Sequence, residues 1–154
     1  MKKFEFTLQP LFNYKQTIER LQKSELRKAQ QVLRELQDEE QRLLQAYAEN
    51  ERSLEEALRR NENIVAALAE HDTYFRFLRD ALNEIHERIL KAEKIVAQCQ
   101  ERLITTMKEL KTYRKLRTEQ YHEYMREMQS EEEKNMGDLV SFTTISEQIN
   151  LESR

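Results

Sequence analysis

A single glycine, Gly137, in 154 residues means that the chain cannot form a glycine-rich loop around a phosphate. The single proline, Pro10, lies near the start of the chain, so almost nothing between these two residues would interrupt a helix. One cysteine, Cys99, cannot close an internal disulfide. It reads as a small buried hydrophobe and points to a cytosolic protein. No stretch of 18 or more apolar residues occurs, and Lys2 and Lys3 are followed by an alternation, Phe4, Glu5, Phe6, Thr7. Neither a membrane-spanning helix nor a signal peptide is expected.

The chemistry of catalysis is missing as well. His71, His86 and His122 lie far apart, and neither His86-Glu87 nor His122-Glu123 is followed by a second histidine at zinc-ligating spacing. No serine or cysteine sits in a motif that would activate it as a nucleophile. We therefore expect no metal, no cofactor and no enzymatic activity. A net charge of -3 spread over both signs argues against nucleic acid, whose binders gather Lys and Arg on one face. The most basic stretch holds Lys108, Lys111, Arg114, Lys115 and Arg117. It reads as a solvated helix surface, with an acidic partner as the alternative.

What the chain does have is charge, 36% of its residues, and a three-four alternation of seam positions. The first run is Leu26, Ala29, Leu33, Leu36, Glu40, Leu43, Tyr47, Asn50, Leu54, Ala57, Asn61, Ile64 and Leu68. The second is Leu78, Leu82, Ile85, Ile89, Ala92, Val96, Cys99, Leu103, Thr106, Leu110 and Tyr113. Such spacing puts one narrow seam on each helix, which is the coiled-coil signature. The expected fold is all-α: a long two-helix antiparallel coiled-coil hairpin over residues 1–136. Helix one should span about 8–70, the turn about 71–73, with Asp72 or Thr73 as cap, and helix two about 73–136. A flexible tail, 137–154, should follow. Folding near His71 sets Asn50 beside Ala92, Leu36 beside Thr106 and Glu40 near Arg102. Such a hairpin can be monomeric in isolation. The same heptads without a fold-back would give a parallel homodimeric spacer or tether.

Two groups of residues are left over by this pairing. Phe4, Phe6, Leu8, Leu11 and Phe12 face the acidic end of helix two and lack an intramolecular partner. Burying one such side chain is worth about 1.5 to 3 kcal/mol, so an uncovered cluster suggests a docking surface. The competing reading folds the arm over Tyr121, Tyr124 and Met128. Beside the expected turn lie Tyr74, Phe75 and Phe77, with His86 some turns along. They either shield the hairpin tip or form an epitope, with Phe77 the most exposed.

The opening Phe4-Glu5-Phe6-Thr7-Leu8-Gln9-Pro10-Leu11-Phe12, followed by Asn13-Tyr14-Lys15, resembles the Phe-x-Phe-x-Leu-Gln-x-Leu-Leu start of the FliJ family of flagellar type III export proteins. The resemblance implies a cytoplasmic antiparallel coiled coil similar to the central stalk subunit of rotary ATPases. It would associate with the hexameric export ATPase, placing the end that carries both termini in the ring. It would also contact the cytoplasmic domain of the export gate membrane protein, peripheral to the membrane through that partner, and escort export chaperones. Carried onto this chain, the family motif makes Phe4, Phe6, Leu8, Gln9, Leu11 and Phe12 the expected ATPase-binding residues. Tyr74, Phe75, Phe77 and His86 are the expected gate-binding set. A stalk subunit of a related secretion system or rotary ATPase is the alternative within this class.

Overall fold

The computed structural model describes residues 2–60 and 63–153. Two helices account for nearly all of them: α1, Gln9–Arg59, of 51 residues, and α2, Ile64–Glu152, of 89 residues. They pack against each other as an antiparallel hairpin formed by one chain. The parallel two-chain arrangement, which needs no fold-back, is not the one found.

The scarcity of helix breakers allows helices this long, and the threonines are accommodated rather than tolerated. Thr73, Thr105, Thr106, Thr112, Thr118, Thr143 and Thr144 of α2 each donate the hydroxyl to the carbonyl four residues back. That bond satisfies a β-branched polar side chain inside a helix without a cap or turn. Pro10 is the second residue of α1, where the missing amide would have had no helical partner.

The reversal is not at 71–73. α1 ends at Arg59, a basic residue in the last turn that complements the negative end of the helix dipole. α2 begins at Ile64, and the Asn63 carbonyl accepts the first helical bond, from the Ala67 amide at 3.0 Å. Asn63 thus occupies the position before the helix where asparagine is strongly favoured. Asp72 and Thr73 are interior to α2 instead, with Asp72 3.0 Å from Arg76 and Thr73 bonded to Ala69. At the other end, the expected tail is helical through Gly137 to Glu152.

The chain divides into two compact units. One comprises residues 18–106. Its core joins Leu36 of α1 to Ile85, Ile89 and Ala92 of α2, with Leu33, Leu43 and Leu82 packed against them. Every described seam position expected from Leu26 to Ala57, and from Leu78 to Thr106, is buried or half-buried. Asn61 lies outside the described residues. Ile64 and Leu68, expected on helix one, are 46% and 45% exposed, because they now open the second helix. Ala67, His71 and Phe75 carry the α2 seam there.

Moving the turn moves the register. Asn50 donates to the His71 carbonyl at 3.2 Å rather than facing Ala92. His71 also bonds the Ala67 carbonyl at 2.8 Å and reaches the Ser53 hydroxyl at 3.3 Å. Tyr47 packs on Phe75 with ring centroids 4.8 Å apart. Glu40 lies 3.9 Å from His86, not near Arg102. Among the described polar residues of the seam, Asn50 has a hydrogen-bond acceptor and Glu40 has His86 as its neighbour, both different from those the sequence suggests.

The other unit comprises the residues up to Thr17 and those from Met107 onward. Here Phe6 and Phe12 close over Leu110, which is fully buried, and Phe4, Leu8 and Tyr113 pack around them.

Two outcomes follow. In a Cys99→Ser background, cysteines replacing Tyr47 and Phe75 should form an intrachain disulfide on mild oxidation, seen as a mobility shift without a dimer band. Cysteines replacing Leu36 and Thr106 should not, since Leu36 sits among Ile85, Ile89 and Ala92. Gly137 has open space where a Cβ would go. Gly137→Ala should therefore stabilise the C-terminal part of α2 by about 0.5 to 1 kcal/mol, read as slower amide exchange there.

Candidate functional surfaces

The N-terminal arm is the first surface to consider, and most of it faces inward. Phe4 meets Tyr121 edge-on at 5.3 Å and Tyr124 at 5.6 Å. The Tyr124 hydroxyl donates to the Lys2 carbonyl at 2.6 Å, and Thr7 lies 3.5 Å from Gln120. Arg114 stands over the Phe12 ring at 5.9 Å, a cation–π contact. Of the two readings of the arm, the one that folds it over Tyr121 and Tyr124 is the one found, and the reading that leaves these aromatics without an intramolecular partner is corrected. The actual register brings Leu110, Tyr113, Tyr121 and Tyr124 opposite the arm, where the expected one brought the acidic stretch. Phe6 and Phe12 are 6% and 5% exposed, whereas Leu11 is 40% exposed and Tyr14 60%. Of the motif residues, Leu11 turns furthest outward and Gln9 holds Asn13 at 2.8 Å.

Lys15 of α1 is paired with Glu109 of α2 at 2.5 Å. The hydrogen bond that Lys15 donates to Glu109 chiefly, with the charge of that carboxylate, holds the Lys15 ammonium above the ordinary 10.5, against a smaller opposing effect of desolvation. A raised lysine pKa stabilises fully below the unfolded value and fades as pH climbs through the folded one. This contact is therefore constant across neutral pH.

Two shallow grooves flank the arm on this unit. One, about 520 Å³, is lined by Phe4, Glu5, Phe6, Thr7, Gln9, Pro10 and Arg117. Its neighbour, about 410 Å³, is lined by Phe4, Arg114, Arg117, Thr118, Tyr121 and His122. They share Phe4 and Arg117. The sequence marks the basic stretch, and one reading of the arm sets it over Tyr121, but the groove that joins the two forms only where Phe4 comes across from the distant arm.

Further along α2, residues 131–153 are exposed apart from a half-buried Ser146. Met136, Leu139, Val140, Phe142, Ile145, Ile149 and Leu151 are all more than half exposed. Read as a tail, this segment gave no reason for so many apolar side chains. Their helical spacing was the available signal.

In the unit of residues 18–106, Tyr74 and Phe77 stack nearly parallel, with centroids 6.3 Å apart and planes at 13°. Phe77 is 63% exposed, as expected. Phe75 turns the other way, onto Tyr47. His86 lies nine residues beyond Phe77, about 180° around the helix, beside Glu40. The four residues expected as one epitope thus fall on two faces. None is at the reversal, where Leu58, Ile64, Val65 and Leu68 are the exposed apolar residues instead.

Among the described residues, no group of His, Cys, Asp and Glu is arranged to hold a metal ion. No helix there is long and apolar enough to cross a membrane.

A family model described as Flagellar FliJ protein matches residues 4–148. No curated protein and no solved structure matches the chain. The match includes the arm, both helices and most of the exposed C-terminal segment.

The burial pattern sets a test. Phe12→Ala should cost about 3 to 5 kcal/mol in thermal or denaturant unfolding, and Leu11→Ala far less. Equal small effects would show that the arm does not close over Leu110.

Proposed function

The chain belongs to the FliJ family of flagellar proteins, which gives it a role in flagellar export, and from that premise we propose that it is a non-enzymatic coupling and escort component of the type III export apparatus. It is cytoplasmic and held at the inner face of the cell membrane through its partners. Its terminal end docks in the central opening of the hexameric export ATPase. Leu11 and Gln9 meet the ring, while Phe4, Phe6, Leu8 and Phe12 hold the docking surface in shape. Tyr74 and Phe77 contact the cytoplasmic domain of the export gate, with Phe75 and His86 supporting or flanking that contact. Export chaperones are further partners.

The observation that carries this reading is the family match across residues 4–148. Two features of the surface support its division of labour. Tyr74 and Phe77 are a stacked aromatic pair, 44% and 63% exposed, the chemistry from which interface anchors are built. Leu11 and Tyr14 remain outside a core that is otherwise closed.

Pull-down against the purified gate domain, paired with ATP hydrolysis by the purified export ATPase, tests the two ends separately. Phe77→Ala should weaken gate binding by more than about 1 kcal/mol and leave the unfolding free energy within about 0.5 kcal/mol. Leu11→Asp should reduce any stimulation of ATPase turnover and leave gate binding alone. Undiminished gate binding by Phe77→Ala would withdraw the aromatic pair from the interface. Equal stimulation by Leu11→Asp would withdraw the terminal docking site.

A further inference from the structure

Among the described residues, α2 runs unaccompanied beyond the arm, whose Lys2 carbonyl accepts from the Tyr124 hydroxyl. Residues 131–153 are exposed apart from the half-buried Ser146. Glu131, Glu132, Glu133 and Lys134 open this length, and charge then nearly vanishes. Between Met136 and Leu151 only Asp138 and Glu147 are charged, in a chain whose charged residues make up 36%. The seven large apolar side chains of the same stretch are each more than half exposed.

These side chains do not form one face. At about 100° per residue, with Met136 taken as the origin, Val140 points to about 40°, Ile145 to about 180°, Phe142 to about 240° and Leu139 to about 300°. The widest sector without one, between Leu151 and Ile145, is about 120°. A helix that lies on a flat surface gathers its apolar residues into one stripe, whereas a helix that is apolar all round is a surrounded one. The polar residues in between suit the same environment. Thr143 and Thr144 donate to the Leu139 and Val140 carbonyls at 2.6 and 2.8 Å, and Ser146 donates to the Thr143 carbonyl at 2.9 Å. Hydroxyls already bonded to the helix's own backbone lose little when water is removed from around them.

We propose that residues 136–151 are held by an encircling partner, an annular sleeve of apolar, uncharged side chains closed round a single helix. The proposal rests on the reading that the terminal end enters the ring of the export ATPase. It gives the central opening to the unaccompanied length of α2 and leaves Leu11 and the arm to the surrounding surface. At about 1.5 Å per residue the segment is about 24 Å long, and a helix with its side chains is about 10 to 12 Å across, which sets the depth and bore of the sleeve. The charged residues 131–134 lie at its mouth, where they keep their water. Hydrophobic contact is non-directional, so the sleeve demands apolar area at each of these positions and no particular side chain. A bilayer is the poorer occupant, since no helix among the described residues is long and apolar enough to cross one.

Polarity-sensitive dyes test the encirclement. In a Cys99→Ser background, Leu139→Cys, Val140→Cys and Ile145→Cys each carry one dye on the full chain, at azimuths roughly 100° to 140° apart, and the purified export ATPase hexamer is added. Emission should shift to the blue at all three positions. A shift on one side only describes a flat contact and overturns the proposal. Leu139→Asp, Val140→Asp and Ile145→Asp should each weaken ATPase binding at least about tenfold. Leu139→Met, Val140→Ile and Ile145→Leu should bind as the parent chain does, and all six should keep its helical circular dichroism and its binding to the gate domain. Leu11→Asp separates this proposal from the reading it rests on. If that variant loses ATPase binding while all three dyes stay unmoved, ring docking stands and the sleeve falls; if the parent chain does not bind the ATPase, both fall. Sedimentation of the full chain alone should give a monomer. An oligomer whose dyes are blue-shifted before the ATPase is added gives the segment to further copies of the chain and overturns the proposal.

Discussion

The point at which the chain turns back decides what every seam residue touches. A three-four alternation is nearly self-similar, so one helix can slide along another by a half-heptad step and still present apolar residues to an apolar seam. Side-chain packing alone therefore favours a seam without choosing its register. The described residues that bracket the reversal are Arg59 and Asn63. Arg59 in the last turn of α1 complements the negative end of that helix, and Asn63 accepts the first bond of α2 from the Ala67 amide.

Once that register is set, the polar members of the seam select it a second time. Asn50 finds a carbonyl at His71, the His71 ring finds one at Ala67 and a hydroxyl at Ser53, and Glu40 comes within 3.9 Å of His86. Sliding the helices would strip Asn50 of its acceptor and leave a half-buried amide unpaired, at a cost of about 1 to 3 kcal/mol. Apolar pairs such as Leu36 with Ile89 would find near-equivalents at many offsets. The specificity of the fold thus rests on its least hydrophobic seam positions.

This explains what was legible beforehand. The identity of the seam was legible almost to the residue, because burial follows helical spacing and spacing is local. The fold class and the family resemblance were legible too, the latter from the Phe4 to Phe12 motif. Register was not, since the competing turns differed only in short polar residues, with no glycine or proline at either. That single displacement accounts for the other differences. It placed Phe4, Phe6 and Phe12 opposite an acidic stretch instead of Leu110, Tyr113, Tyr121 and Tyr124. It also put Tyr74 and Phe77 at a tip they do not occupy. The helical nature of residues 137–152 was obscured for a different reason: Gly137 reads as a stop, yet one glycine costs only about 1 kcal/mol in a helix interior, too little to end one this long.

Burial also separates the residues that make the arm's surface from those that could be read by a partner. Phe6 and Phe12 are among the least exposed side chains in the chain, so their part in any recognition is to hold the backbone of the arm against α2. The side chains left facing water there are Leu11, Tyr14 and the two arginines of the groove. A motif that begins with aromatics can thus mark a docking end even though its aromatics are hidden. Their spacing is dictated by the core they fill, and the outward residues between them are placed by that packing. The same logic holds for Tyr47 and Phe75, which turn inward so that Tyr74 and Phe77 are held out. In both units an internal aromatic contact fixes the orientation of an external apolar one. Truncating the hidden partner should consequently impair binding through lost order, whereas truncating the exposed one should impair it with the helices intact.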